Sequence, residues 1–370
     1  MHKVYTVIRK NCPLPALCLI LAAVAAGIVH LGCVLSVSFA DFMNVHVSWI
    51  VRAVLAKGTN LFPFSVAEIL LILLPVILVI LIVLTVKKGR SEDETVLRRY
   101  TCSLLGVCSL LYSIFVFGFA SGYYASGLDR KLDLRERAVS AEELYRTAEV
   151  LRAQCEEEAQ TISFRYGSFS VMPYSLDEMN TKLNDAYEKA ADKYSFLRSF
   201  RSNLKYVLLS EPMSYTHITG VYTYFTGEAN INVNFPDYTI PYTAAHELSH
   251  QRGIAREEEA NFMAYLVCME SDDSYIRYSA AFNLLEYVMN ALYSADRTLY
   301  GKMWSSLDSR FQYEMIAYNE FFEKYRENKV ADVSEKVNDT YLKSQGQTQG
   351  SRSYGCVVDL AVLYLCGSGE

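Results

Sequence analysis

Between Leu14 and Val37 the chain carries no Asp, Glu, Lys or Arg, and two later stretches, Ile69–Val86 and Thr101–Leu128, share that property. A helix of ~20 apolar residues spans a bilayer core, so the first third of this chain is committed to a membrane. The reading is three transmembrane helices at about 14–37, 65–86 and 101–124, within a membrane region 1–128. Pro75 is tolerable inside a span, and Tyr123 and Tyr124 stand where interfacial aromatics stand. The basic start (Lys3, Arg9, Lys10) resembles a signal peptide. Its long apolar run and the two further spans argue instead for retention as an anchor.

Loop charges orient these spans. The N-terminal tail has three basic residues and the 87–99 loop has five (Lys87, Lys88, Arg90, Arg98, Arg99), against only Arg52 and Lys57 between the first two spans. The positive-inside rule then places the N-terminus and the 87–99 loop in the cytoplasm, and three crossings put residues 129–370 outside. Val45–Ala56 reads as a short amphipathic helix on the outer interface. Glu68 is expected as a solvated helix start, and His30 as a packed neutral ring.

A net charge of -6 with no long basic run excludes nucleic acid as the main partner. There is no Gly-rich phosphate loop. None of the nine cysteines forms a CxxC pair, so a cysteine metal site is not expected. Cys155, Cys268, Cys356 and Cys366 lie in the polar region and read as free thiols.

Residues 129–370 read as mainly α with a small β-hairpin. Ser140-x-x-Glu143 and Ser175-x-x-Glu178 have the form of capping boxes. Residues 219–225 and 229–234 are rich in β-formers, and Thr226-Gly227-Glu228 between them suits a hairpin turn. Pro236 and Pro241 end the sheet and lead to a helix from near Tyr242. Further helices are expected over 256–270, 274–296 and 306–323. Gln345–Ser353 reads as a polar loop, and Cys356–Leu365 as an apolar segment too short to span that docks on the domain.

His246-Glu247-Leu248-Ser249-His250 carries the chemistry. Histidines four apart on a helix project from one face, as two nitrogen ligands of one tetrahedral zinc require. Glu247 stands directly after the first ligand, placed to take a proton from a zinc-activated water as general base. Ala244, Ala245 and Leu248 would face the core, and Gly253 would stop the helix. The alternative is a surface helix with two solvated histidines.

A third ligand is sought in Arg256-Glu257-Glu258-Glu259-Ala260-Asn261-Phe262. Three carboxylates can simply complement a helix N-terminus. However, Glu257, Ala260, Asn261, Ala264 and Cys268 share a face of small residues that lets two helices approach closely. This favours Glu257 as ligand over Glu258 and Glu259, with Asn261 behind it to orient a ligand histidine.

HExxH with this glutamate helix after it resembles the gluzincin metallopeptidases. Glu257-Glu258-Glu259-Ala260-Asn261-Phe262 is similar to the third-ligand helix of the ImmA/IrrE-type peptidases. The assembly is closer still to a family of bacterial membrane proteins known only as a domain of unknown function. The residues that carry that resemblance are Pro63-Phe64-Ser65, Thr226-Gly227-Glu228-Ala229-Asn230, His246 to Gly253 and Ser353-Tyr354-Gly355. Most gluzincins place a long insertion before the glutamate, whereas six residues intervene here.

The resemblance implies a multi-pass protein of the bacterial cell membrane with an extracytoplasmic, α+β zincin-like domain at 129–370. It implies a Zn2+ cofactor held by His246, His250 and Glu257, with Glu247 catalytic and an unknown peptide or protein substrate. Ala229–Asn234 would be an edge strand pairing with that substrate, or an ordinary structural strand. His217, Tyr222 and Tyr224 are the candidates for oxyanion stabiliser. The alternative function is a non-proteolytic zinc-binding signalling or scaffold protein; a transporter-like reading lacks paired charges within the spans.

Overall fold

The computed structural model describes residues 10–135, 137–165, 169–345 and 354–367. Two compact units emerge: Met1–Ala125 with Thr223–Glu228, and Ser126–Tyr222 with Ala229–Glu370. Lys3, Arg9 and residues 346–353 of the expected polar loop lie outside the described residues.

Among the described residues of the first unit four helices are long and apolar enough to cross a bilayer, where the sequence leads to three: α1 (Leu14–Leu35), α2 (Val37–Thr59), α3 (Val66–Gly89) and α4 (Glu94–Tyr124). The added one, α2, contains the expected amphipathic segment and has a mean hydropathy of 1.2, against 2.5, 3.5 and 2.1 for the others. Ser36 separates α1 from α2 with extended backbone, and its side chain caps α2 by accepting from Phe39 N. Asp93 caps α4 by accepting from Thr95 N, so that helix begins at Glu94 rather than Thr101 and carries Arg98 and Arg99 on its first turns.

Side-chain contacts fix the directions of these helices. Arg99 donates to the Lys10 carbonyl at 3.4 Å. A Cβ on Gly106 would stand 3.0 Å from Ala16 Cα. His30 meets the Tyr112 hydroxyl at 3.2 Å and the Tyr124 hydroxyl at 3.4 Å, a packed ring as expected. Helices α1 and α4 therefore run side by side in the same direction. Helix α3 returns against α4, tied by Tyr100 OH to the Leu81 carbonyl at 3.2 Å. It follows that Ser36 and Ser65 stand at the same end of the bundle, and α2 begins and ends there. Widened π-turns at Met43–Ser48 and Val116–Ala120 surround Arg52, which donates to Asn44 Oδ1 (3.0 Å), Asn44 O (3.1 Å) and Gly118 O (2.7 Å).

The hexapeptide Thr223–Glu228 is built into this unit. Glu228 accepts from Val66 N at 2.9 Å and Ala67 N at 2.8 Å. It thereby satisfies two of the orphan donors at the start of α3 and complements the helix dipole. Gly227 has φ +71°, and a Cβ there would lie 2.7 Å from Leu55 Cβ and 2.8 Å from Ala56 N, so only glycine fits.

The second unit is helical around a small sheet. In chain order it comprises α5 (Ala141–Glu158), β1 (Ser163–Phe164), β2 (Ser170–Val171), α6 (Leu176–Lys193), β3 (Lys205–Tyr206), β4 (Gly220–Thr223), β5 (Glu228–Ile231), α7 (Thr239–Gln251), α8 (Glu257–Met269), α9 (Ser274–Ala295), α10 (Arg297–Ser306), α11 (Ser309–Arg326), α12 (Lys329–Ser344) and α13 (Tyr354–Cys366). The capping box at Ser140 is complete, with Glu143 accepting from Ser140 N at 2.9 Å while Ser140 Oγ accepts from Glu143 N at 3.3 Å. Pro241 lies in the first turn of α7 rather than ahead of it, where a missing N–H costs nothing. The expected 306–323 helix is present as α11, begun by Asp308 as N-cap, and a separate short helix, α10, precedes it.

The expected hairpin is present as β4–β5, but the strand order is β3-β5-β4. Ala229–Asn234 therefore does not supply an edge strand: β5 is central, covered on one side by β3 in parallel register (Lys205 with Asn230). The outer strand beside it is β4. Helix α7 packs against α8 and α9. Helix α13 docks as expected, with Val357, Ala361 and Val362 fully buried and the Tyr364 ring 5.6 Å from Phe262. Cys155, Cys268 and Cys366 are free thiols.

Candidate metal centre

The site grows from the end of α7. Gly253 adopts φ +97°, and the turn closes with Gly253 N on His250 O at 2.9 Å and Ile254 N on Ser249 O at 3.1 Å. That pair of bonds is a Schellman motif, which stops the helix where the sequence places the stop. It also folds the Ile254 carbonyl back to His250 Nδ1, at 2.7 Å. Nδ1–H donates there, so the tautomer is fixed and the Nε2 lone pair points outward.

The chain then re-enters as α8 at Glu257. Ala244, Ala245 and Leu248 on α7 and Ala260, Ala264 and Cys268 on α8 are fully buried. Such small side chains bring the two backbones close, and Tyr242 OH ties them by donating to Asn261 O at 3.0 Å. Tyr187 of α6 supports α7 from behind, donating to Ala245 O at 2.5 Å and meeting Ser249 Oγ at 2.7 Å.

Three ligand atoms converge as a result. His246 Nε2 lies 3.0 Å from His250 Nε2, and Glu257 Oε2 lies 3.3 Å and 3.5 Å from them. Atoms bound tetrahedrally at the ~2.0–2.1 Å of zinc–nitrogen and zinc–oxygen bonds stand about 3.3 Å apart. The spacing, the fixed tautomer and the charge of one carboxylate with two imidazoles all fit a divalent cation. Among the described residues this is the only group of three His, Cys, Asp or Glu side chains so arranged.

Electrostatics agree. Burial opposes charge on His250, yet the facing Glu257 carboxylate carries its pKa up to about 9. Burial likewise opposes charge on Glu257, but the two histidines hold it well below the carboxylate range.

Glu247 is buried beside the ligands, and burial pushes its pKa up. Its carboxylate accepts the Tyr222 backbone N–H of β4, while Oε2 is buried with no hydrogen-bond partner among the described residues. An orphaned acceptor of this kind is costly unless something fills the space. Sequence reasoning does not reach the Tyr222 amide or the close approach of Gly220 to Glu247. The one signal for them is a lone glycine in a β-forming run, which marks close approach of another group.

The other candidate residues have separate places. Glu259 accepts from Leu128 N at 3.0 Å and Arg256 at 2.7 Å, a structural task away from the ligands. Glu258 is not among the clustered ligand atoms. Asn261 is buried, and its Nδ2 and His246 Nδ1 both lack a hydrogen-bond partner among the described residues. His217 Nε2 lies 2.6 Å from the Tyr325 carbonyl, and its ring packs against Phe322, so it serves the aromatic core there. Tyr224 belongs to the first unit, its ring 5.1 Å from Phe115.

Residues 45–362 match the model of a family described as protein of unknown function (DUF3810). No curated protein and no solved structure matches the chain.

Proposed function

Because the chain belongs to the DUF3810 family, whose description assigns no activity, we propose from the site itself that it is a membrane-anchored zinc metallohydrolase of gluzincin type, acting on peptides. The carrying observation is the three-atom cluster at 3.0, 3.3 and 3.5 Å with the buried Glu247 carboxylate at its side. His246, His250 and Glu257 hold the ion. Zinc, when bound, lowers the pKa of a coordinated water toward ~7 and polarises a carbonyl. Glu247 takes the proton of the attacking water at Oε2 and returns it to the leaving amine, while Tyr222 N–H keeps its carboxylate in place.

The full-length protein in detergent is expected to hold about one zinc per chain. Glu247→Gln should keep that zinc and lose hydrolysis of a quenched-fluorescent peptide library by roughly 100-fold or more, the scale of general-base catalysis. Zinc without hydrolysis in the wild type would favour the scaffold alternative; no zinc at all sinks both.

For topology we propose three crossings, by α1, α3 and α4, with α2 lying along the outer face. This rests on α2 starting and ending at the same end of the bundle and on its lower hydropathy. The basic tail and the 87–99 loop then face the cytoplasm, and the metal centre lies outside. Alkaline phosphatase, which folds only outside the cytoplasm, should be active when fused after Phe62 or Ser344 and inactive after Arg90. Inactivity after Phe62 and Ser344 with activity after Arg90 means that α2 crosses.

A further inference from the structure

Gly220 opens β4, and a Cβ built on it would stand 2.7 Å from both Cγ and Oε1 of Glu247 and 3.0 Å from Cδ. Real Cβ atoms do not approach other atoms so closely, and the carboxylate side chain is buried and cannot retreat freely. The φ of Gly220 lies outside the left-handed range, so the demand is for space and not for backbone freedom. Two residues on, Tyr222 supplies the N–H that Glu247 accepts. In an extended strand residues i and i+2 point their backbone groups to the same edge. The opposite edge is committed to β5 and the residues just beyond it: Asn232 N donates to Thr219 O at 2.9 Å, and Asn230 Nδ2 to Val221 O at 3.0 Å. Gly220 and Tyr222 therefore present one edge to the carboxylate.

We propose that Gly220 is a positioning residue of the metal centre: its missing side chain lets β4 close on Glu247, so that the Tyr222 amide clamps one carboxylate oxygen and Oε2 is left aimed at the reacting water. The proposal rests on the reading of Glu247 as general base. It gives the hairpin a task distinct from substrate pairing, since one strand edge sets the geometry of the base.

The test uses full-length protein in detergent micelles loaded with Co2+, titrated with acetohydroxamic acid and followed by visible absorption. The hydroxamic O–H breaks as the oxygen binds the ion, and its proton passes to the adjacent carboxylate, so affinity reads whether Glu247 is in place. Cobalt stoichiometry should be equal in wild type, Gly220→Ala and Glu247→Gln. Both variants should bind acetohydroxamate between about 10-fold and 100-fold more weakly, the cost of misplacing a reacting group by ~1 Å. Wild-type affinity in Gly220→Ala beside a weakened Glu247→Gln overturns the positioning role and leaves the base intact. Wild-type affinity in Glu247→Gln overturns the base, and the proposal with it. If Gly220→Ala fails to fold, hydrogen–deuterium exchange of the peptide covering 219–224 decides. Glu247→Ala should raise its uptake at the Tyr222 amide, and unchanged uptake overturns the clamp.

Discussion

Glu257→Ala will bind zinc more than about 100-fold more weakly than the wild type. Loss of a group that merely orients a ligand already costs 10- to 100-fold, and Glu257 contributes the only carboxylate oxygen to the cluster, 3.3 and 3.5 Å from the two imidazole nitrogens. It also supplies the charge that favours a cation between two neutral rings. The neighbouring carboxylates make the experiment discriminating. Glu259→Ala should keep zinc affinity within a few-fold and instead lower stability by about 1–3 kcal/mol, because Leu128 N and Arg256 lose a buried acceptor. Glu258→Ala should leave the metal in place. Competition with a chromophoric chelator measures all three. Tight binding by Glu257→Ala, with loss in either neighbour, would move the third ligand and refute the site as described.

The three positions of the cluster that could hold a metal are readable from sequence for a physical reason. His246 and His250 share a helical turn and Glu257 comes just after a glycine stop, so the geometry is local, set by helical periodicity and one backbone angle. The same holds for the Ser140 capping box and the small-residue face of α8. Contacts between distant segments leave no such mark. Strand β3 is the two residues Lys205–Tyr206, with no alternation to announce it, and its parallel pairing turns β5 from an edge into a central strand. Gly220 looks like any glycine near a turn until Glu247 is folded against it. The fourth apolar helix escapes because its Arg52 breaks the hydropathy signal. In the folded unit Arg52 is buried, its two terminal nitrogens donating to Asn44 and Gly118. The turn Thr226-Gly227-Glu228 is legible as a turn, but its bonds to α3 depend on residues more than a hundred positions away.

Arg252 belongs to the same class, and its replacement should have the largest effect on folding. The residue is only 2% exposed. Its guanidinium stacks 4.1 Å from the Tyr187 ring and 5.0 Å from the Phe200 ring, and it donates to Phe200 O (2.8 Å), Gln251 Oε1 (2.8 Å) and Leu248 O (3.3 Å). Burial lowers its pKa to about 10, still well above neutrality, so it is a buried cation held between carbonyls and π faces. Arg252→Ala removes the donors of two buried carbonyls and empties the space between two aromatic rings. Breaking a buried charged network in this way costs roughly 3–5 kcal/mol, which for a domain of this size lowers the melting temperature by about 10 °C. Arg252→Met refills the volume without the donors and should recover less than half of the loss. Arg252→Lys restores charge but not the planar fork, and should also fall short. Because Arg252 caps the helix that carries both histidines and stacks on Tyr187, which braces that helix, the alanine variant should lose zinc affinity as well as stability. Full recovery by methionine would show that Arg252 only fills space, and the metal centre would then owe its rigidity to the Gly253 turn and the packing of α7 on α8 alone.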